Sequence, residues 1–384
     1  MNPDRGTIVI TSMGVVSPLG NTPEDLWERI LSGTSSAQPW PDLEREGFRS
    51  TTACRVSDLD TPLHQRGRLL ALDAAKQAVD GLGCPLPEDL GVFIGSTLGE
   101  SSAFEDAARG GPFHGHEHTV SAFTGALRDH FGAMGPSRSI ATACAAGNYA
   151  VGAAVSALRN GHTSMAMAGG VEPFSRIAML GFSRSRAMAE HQCRPFDAER
   201  SGMLLGEGAA IFILERANDA LARGKRPLAE VVSLGITCDA YHPTAPEPSG
   251  SGMLRAMREA LLLAGTDPSQ VDWVNAHGSG TLLSDSAEGR ALRSLFGPRL
   301  PLISGSKGAL GHALGASSAI ELVLCVQGLL QQIVPPTAGH RQVDPAIDIA
   351  CTTAATPHEV NVVMNNAFAF GGINSTLLLR RWMD

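Results

Sequence analysis

The feature that most constrains the fold of this chain is an internal duplication. One segment runs from Thr7 to Gly33 and a second from Ala229 to Gly265, and each reads as an apolar strand followed by a helix. In both, a strand with a small-residue loop comes next, then a strand with a tight turn and a helix of small residues. This repeated alternation predicts an α/β fold whose sheets are covered by helices. We place the two halves at residues 1–228 and 229–384.

The composition is that of a globular protein and excludes several classes. Of the 384 residues, 43% are hydrophobic and 18% are charged, and the formal net charge is −8. These values argue against a disordered chain and against nucleic-acid binding driven by overall charge. The chain contains 43 glycines, a frequency that indicates many tight turns or close backbone approaches.

Signals for disulfides, targeting and cofactors are weak. The seven cysteines are scattered and include no C-x-x-C pair, so neither a disulfide framework nor a zinc ribbon is predicted. The N-terminus does not read as a signal peptide, and the best apolar stretch, residues 313–334, contains Glu321 and small polar residues. We therefore expect a cytoplasmic protein with no membrane contact. No glycine-rich nucleotide motif lies at a strand–helix junction, and no nucleotide cofactor is implied.

Three histidines alternate at His114, His116 and His118. On a strand they would share one face and could bind a metal ion. Because no fourth ligand is evident, a solvated or interface loop is the favoured interpretation, and no metal site is expected.

The strongest catalytic candidate is Cys144, which follows an apolar strand and precedes a helix of Ala, Gly, Ser and Val. The backbone N–H groups at the start of that helix should lower the thiol pKa and could hold an oxyanion. A small buried cysteine is the alternative interpretation. The second half has Lys307 and His312 at the matching position, and His277 follows another buried strand. If the halves pair about a pseudo-two-fold axis, these side chains face the cysteine.

Six stretches in a fixed order make the chain similar to the elongating β-ketoacyl-acyl carrier protein synthases of the fatty-acid synthase II type, in the thiolase-fold superfamily. They are ATACAAG, RPFDAERSGMLLGEGA, CDAYHPTAP, VNAHGSGTLLSDSAE, SGSKGALGHALGA and NNAFAFGGINS, and with the opening strand they span essentially the whole chain. The resemblance implies a duplicated thiolase-like fold with five αβαβα layers. It also implies decarboxylative Claisen condensation of a cysteine-bound acyl chain with malonyl-acyl carrier protein, in fatty-acid, polyketide or polyene synthesis.

The resemblance assigns roles to individual residues. Cys144 matches the nucleophile, and His277 and His312 match the histidines that assist decarboxylation and hold the enolate oxygen. Lys307 matches the family lysine, and Glu288 matches the acidic residue that pairs with it.

The resemblance also implies a set of substrate contacts. The backbone N–H of Phe370 would complete an oxyanion hole, and its side chain would form a gate. The other implied contacts are Ser279 and Thr281 at the phosphopantetheine arm, Leu98 and Phe182 in the acyl pocket, and Phe368 and Gly371 elsewhere in the site.

The implied partner is acyl carrier protein, which is acidic. A chain with a charge of −8 must offer it a local basic patch, for which we select Arg66, Arg68, Arg184 and Arg186. The substrates arrive on the carrier's phosphopantetheine, so no cofactor of the enzyme itself is expected. A homodimer is the favoured assembly. The alternative is a partner-dependent subunit of a heterodimeric type II polyketide synthase, whereas His312 disfavours a degradative thiolase.

Overall fold

The protein is described by a computed structural model that covers residues 6–57, 65–113, 115 and 119–383. The strands are β1 Ile8–Val16, β2 Gln38–Pro39, β3 Thr52–Ala53, β4 Gly91–Gly95, β5 Ser137–Ile140, β6 Met165–Glu172, β7 Gly208–Arg216, β8 Ala229–Cys238, β9 Trp273–Asn275, β10 Leu302–Ser304, β11 Ile333–Val334, β12 Thr356–Pro357, β13 Val362–Ala369 and β14 Ile373–Arg381. The helices are α1 Pro23–Leu31, α2 Pro41–Arg45, α3 Arg66–Asp80, α4 Ser101–Ala108, α5 Ser121–Phe131, α6 Ala146–Arg159, α7 Arg176–Arg184, α8 Ala217–Ala222, α9 Ser251–Ala264, α10 Leu282–Phe296, α11 Lys307–Leu310 and α12 Leu314–Gln331.

The duplication is visible in the largest sheet. Its ten strands run in the order β10-β9-β13-β14-β8-β1-β7-β6-β4-β5, so each half supplies five neighbouring strands. Outward from the centre, each half has two antiparallel pairs and then two parallel pairs. The halves join where β1 pairs antiparallel with β8, with Val9 opposite Glu230 and Ile10 opposite Ala229. The predicted duplicated α/β fold is confirmed.

Helices and half-sheets alternate in five layers. The middle layer contains α6 and α12, which both contact β6 of the first half and β14 of the second. On the outer faces, α3 packs against β1 and β7, whereas α9 packs against β8 and β14 with α10 beside it. The resulting order, αβαβα, is the thiolase-like architecture that the resemblance implied.

The two central helices approach each other closely because small residues lie at their crossing. A Cβ atom on Gly147 would come within 2.7 Å of Ser318 Oγ and 2.8 Å of Ala319 N. No ordinary side chain fits at that distance, so this glycine is required by packing.

The central helix α12 also explains the long apolar stretch of the sequence. Its 18 residues have a mean hydropathy of 1.4, which is enough for a membrane span by length and composition, but 89% of them are buried inside the protein. The hydropathy of α12 is therefore accounted for by its place between the two half-sheets.

Candidate active site

Cys144 lies at the junction between β5 and α6. A 3-10 turn over Ala143–Ala145 connects the two elements, and Ala143 has a left-handed φ of 49°. This conformation is unfavourable for a residue with a Cβ and marks a sharp turn. The turn brings the buried Cys144 side chain to the wall of a cavity.

The protonation state of this thiol differs from the sequence-based expectation. Burial raises the pKa of Cys144 to about 12 instead of lowering it. Lys307 and the backbone N–H groups of Cys144 and Phe370 lower the pKa, as expected, whereas Glu172 raises it further. The loss of water around the sulfur outweighs the favourable groups. The resting residue is therefore a neutral thiol.

Two histidines from the second half line the same cavity as Cys144. The ring centroids of His277 and His312 are 5.4 Å apart, and the rings are inclined by 77°. His312 Nδ1 lies 2.9 Å from Ser317 Oγ, whereas His277 Nδ1 has no hydrogen-bond partner among the described residues. Burial, followed by the charge of Lys307, holds the pKa of both histidines well below its usual value. Each ring is therefore neutral and has one N–H to donate.

Lys307 lies behind the histidines and is paired differently from the expectation. Its Nζ is 2.5 Å from Glu321 Oε1 and 2.6 Å from the carbonyl oxygen of His277. Glu288, the expected partner, instead accepts hydrogen bonds from the backbone N–H groups of His277 and Gly278 at 2.8 and 2.9 Å. The predicted Lys307–Glu288 pair is wrong because the buried helix α12 places its own carboxylate against the lysine.

A network of buried amides ties the cysteine helix to the second half. Asn365 Nδ2 donates to Asn148 Oδ1 at 3.1 Å, and Asn275 Nδ2 donates to Asn365 Oδ1 at 2.8 Å. Asn148 Nδ2 also donates to Ser375 Oγ at 3.2 Å. The network holds α6 in register with β9, β13 and β14, so it fixes Cys144 relative to the histidines.

A cavity with a volume of about 110 Å³ lies above Cys144. Its walls come from both halves and include Cys144, Phe182, His277, Ser279, Thr281, His312, Phe368 and Phe370. The hydroxyl oxygens of Ser279 and Thr281 are 2.9 Å apart. The structure thus brings together most of the residues that the sequence selected for the site.

Aromatic rings form part of the cavity wall. The ring centroids of Phe182 and Phe370 are 5.4 Å apart, and Phe370 is 37% exposed. Leu98 and Gly371 were expected among the substrate contacts but lie outside the cavity lining. Leu98 packs behind the wall in the cluster that contains Phe182. Gly371, at a φ of 82°, donates its N–H to the carbonyl oxygen of Pro243 at 2.8 Å.

The four arginines selected for docking separate into two groups. Arg66 is only 5% exposed, and its guanidinium donates to both carboxylate oxygens of Glu207 at 2.7 and 2.6 Å. It therefore anchors the interior, and its selection for a docking surface is wrong. Arg68, Arg184 and Arg186 are exposed. Arg184 is the last residue of α7, in the same turn as the cavity-lining Phe182, and Arg186 lies two residues beyond it.

Motif reasoning missed several polar residues that support the site. Asp285 accepts the backbone N–H groups of Phe196 and Gly280 at 2.8 and 3.1 Å, and Ser317 is the partner of a catalytic candidate. Glu321 did carry a signal, since it is a lone carboxylate within an apolar helix. The alternating histidines at 114, 116 and 118 lie outside the described residues. Within the described ranges, no group of three or more metal-ligating side chains is found.

The fold and site together define a class of protein. A duplicated five-layer fold that brings a thiol and two neutral imidazoles to one cavity has the architecture of the thiolase-like condensing enzymes. The Beta-ketoacyl synthase N-terminal domain matches residues 5–220, and the Beta-ketoacyl synthase C-terminal domain matches residues 228–341. The chain belongs to the β-ketoacyl synthase family, and it is an elongating acyltransferase of the condensing type.

Individual relatives agree with this assignment. The chain is 34% identical to "3-oxoacyl-[acyl-carrier-protein] synthase 2" of Rhizobium meliloti (strain 1021), over 98% of this chain and 99% of the relative. A chain in a solved structure described as "The ishigamide ketosynthase/chain length factor" superposes with a TM-score of 0.92 at 33% identity, covering 99% of this chain and 100% of that one. A second, "AntDE:AntF (apo): type II PKS acyl-carrier protein in complex with its ketosynthase bound to the hexaketide", gives a TM-score of 0.89 at 27% identity, covering 98% and 100%.

Proposed function

We propose that Cys144, His277 and His312 carry out decarboxylative condensation in the cavity that they line. The observation that carries this proposal is the meeting of a buried thiol from one half with two neutral imidazoles from the other. A thiol exchanges thioesters, and neutral N–H donors stabilise a developing enolate oxygen.

In the first step, Cys144 Sγ forms a bond to the acyl carbonyl carbon, and the bond from that carbon to the phosphopantetheine sulfur breaks. The thiol proton passes to the departing sulfur. The step therefore converts the carrier's thioester and the Cys144 thiol into a Cys144 thioester and a free phosphopantetheine thiol. Because the pKa of Cys144 is about 12, the sulfur becomes anionic only as it attacks. The backbone N–H groups of Cys144 and Phe370 would hold the carbonyl oxygen while it carries negative charge.

In the second step, the malonyl group loses CO2, and the electron pair of the broken C–C bond becomes an enolate. The N–H groups of His277 and His312 would hold the enolate oxygen while its carbon attacks the Cys144 thioester. Cys144 leaves as thiolate and takes up a proton, since its pKa is far above neutral. Lys307, anchored by Glu321, would position His277 through its backbone carbonyl. Decarboxylation generates the carbanion, so no carboxylate base is required.

The proposed partner is an acyl carrier protein that delivers both substrates on phosphopantetheine, so the enzyme would need no cofactor of its own. The similarity to a ketosynthase solved with its acyl-carrier protein supports this partner. The arm would pass Ser279 and Thr281, and the carrier would dock on a patch that contains Arg68, Arg184 and Arg186. The proposed location is the cytoplasm, with no membrane or nucleic-acid partner.

We propose a homodimer as the active assembly. A second candidate is a subunit that works only with a related partner, because the chain also resembles part of a ketosynthase/chain length factor structure. The acyl chain would enter a pocket bounded by Phe182, with Leu98 packed behind that wall. Activity of the purified chain by itself would exclude the partner-dependent alternative.

The proposal is tested by mass spectrometry of the intact protein after incubation with a panel of acyl carrier proteins loaded with different acyl chains. We expect a single acyl adduct on Cys144, absent in Cys144→Ala and retained in the matched control Cys84→Ala. The absence of an adduct with every donor would reject the nucleophilic role of Cys144.

A further inference from the structure

A fully buried carboxylate, Glu172, lies at the end of β6 and has no part in the reaction proposed above. We propose that Glu172 is a positioning residue, which clamps the Ser96–Leu98 loop to the first turn of α12 and thereby fixes the acyl side of the cavity relative to His312. This inference rests on the proposed function, because it concerns the same site.

The clamp consists of four hydrogen bonds to one side chain. Glu172 Oε1 accepts from Leu98 N at 2.9 Å and from Ser96 Oγ at 3.2 Å. Glu172 Oε2 accepts from Thr97 N at 2.6 Å and from Gly315 N at 2.9 Å. One carboxylate therefore joins the loop after β4 to α12, although Leu98 and Gly315 lie in different halves of the sequence.

Both clamped segments contribute to the cavity. Thr97 and Leu314 line it directly, and Leu98 packs with Leu314 in the apolar cluster behind the wall. His312 lies two residues before Leu314, so a shift of α12 would move its ring. The two segments approach each other closely. A Cβ on Gly315 would come within 2.5 Å of Thr97 N and 2.8 Å of Glu172 Oε2.

The same carboxylate acts electrostatically on the cysteine. Two charges act on the Cys144 thiol: Lys307 lowers its pKa and Glu172 raises it. Burial raises the pKa of Glu172 itself to about 7. At pH 8.5 Glu172 is therefore mostly ionised and opposes formation of the thiolate.

Substitution with glutamine separates these effects from simple packing. In Glu172→Gln, one acceptor oxygen becomes an NH2 group that must face either Leu98 N or the pair Thr97 N and Gly315 N. A donor then faces a donor, so one segment must move. Glu172→Asp keeps the charge but is too short to reach both segments.

The test uses the full chain and two measurements. The first is the rate of Cys144 alkylation by iodoacetamide at pH 8.5, followed by mass spectrometry, which requires no carrier protein. The second is the acyl chain-length profile of Cys144 acylation by loaded carrier proteins. The matched control is Asp272→Asn, which makes the same change on a carboxylate that accepts two backbone N–H groups at 2.7 and 2.9 Å, next to the far end of β9.

We expect Glu172→Gln to speed alkylation about threefold or more, which corresponds to about half a pKa unit, and to change the preferred chain length. Asp272→Asn should leave both measurements unchanged. A folded Glu172→Gln protein with wild-type alkylation and chain-length profile would overturn the proposal. If that variant does not fold, Glu172→Asp decides: we expect wild-type alkylation with an altered profile, and an unaltered profile would overturn the proposal. Failure of wild-type acylation would instead reject the proposed function, while the alkylation result would still test Glu172.

Discussion

The two halves of the chain have the same strand topology but bring different chemistry to the site. At the end of β5 the first half places Cys144, and at the end of the corresponding strand β10 the second half places Lys307 and His312. The loop after β4 contains Thr97 and Leu98 and carries no histidine, whereas the loop after the corresponding β9 carries His277. In the proposed reaction, the first half would face the acyl chain, and the second half would supply the donors for the extender unit.

In both halves, a buried carboxylate holds a loop beside the site. The loop after β4 donates backbone N–H groups to Glu172, and the loop after β9 donates them to Glu288. Burial raises the pKa of both carboxyl groups to about 7. The carboxylates come from different elements, a strand end and helix α10. The comparison indicates that both halves kept the strand topology and a carboxylate that binds the loop, while the side chains at the site diverged.

The largest expected effect concerns the ion pair of Lys307 and Glu321, which the second half buries behind the histidines. Lys307→Met should lower the free energy of unfolding by about 3–5 kcal/mol, because it leaves a buried carboxylate without its partner. The double variant with Glu321→Gln should regain most of that loss. Urea unfolding measures both, and Lys76→Met, in the exposed pair with Asp73, is the control. If Lys307→Met and Lys76→Met lost the same free energy of unfolding, the result would contradict a buried Lys307–Glu321 ion pair.

The division of labour between the halves predicts separable activities. His277→Ala and His312→Ala should each slow malonyl decarboxylation by about 10²–10³-fold, because each removes one donor to the enolate oxygen. Acylation of Cys144 should change far less, since its proposed oxyanion donors are backbone N–H groups. Release of CO2 and intact-protein mass measure the two steps, with the exposed His130→Ala as the control. If both steps slowed equally, the result would contradict the proposed division of labour between the halves.

The contact between the halves at the centre of the fold predicts a moderate effect. Gly147→Ala should destabilise the protein by about 1–3 kcal/mol, because the added methyl group overpacks the crossing of α6 and α12. The control is Gly125→Ala in α5, where a Cβ meets nothing within 4 Å. That change should stabilise the protein by about 0.5–1 kcal/mol. Thermal unfolding of the two variants should shift in opposite directions, and a stabilised Gly147→Ala would contradict the close packing.

The smallest expected effect concerns the surface of the first half. Reversal of charge in Arg184→Glu with Arg186→Glu should raise the KM for a carrier-bound acyl substrate by up to about thirtyfold, as exposed charges contribute about 0.2–1 kcal/mol each. The KM for a free thioester analogue should not change. Arg299→Glu is the control, since it lies before β10 and away from the end of that strand that carries the site. Equal effects on both substrates would remove the docking role.

Much of the fold and the residues of the site follow from local patterns. Thr22 caps α1 through its side chain, Pro23 occupies the first turn, and Gly265 closes α9 in the left-handed conformation, all as residue preferences predict. Cys144 and His277 were found because each follows a predicted strand at a repeated position. These signals are local, so they can be recognised in the sequence without knowledge of the tertiary contacts.

Other features could not be predicted because they depend on distances between remote elements. Arg66 reads as a surface charge on a helix, but its partner Glu207 lies 141 residues away in sequence. Glu288 lies near the site and was a reasonable partner for Lys307 until the position of α12 was known.

The sequence by itself determined the duplication, the α/β class and the identity of the thiol and the two histidines, because periodicity and motif spacing are properties of the chain. Only the tertiary structure decided which carboxylate meets Lys307, that Arg66 is internal, and that the thiol of Cys144 is neutral. Each of these depends on how completely folding removes a charged group from water and on which partner it then finds, and both are set by the packing of the five layers.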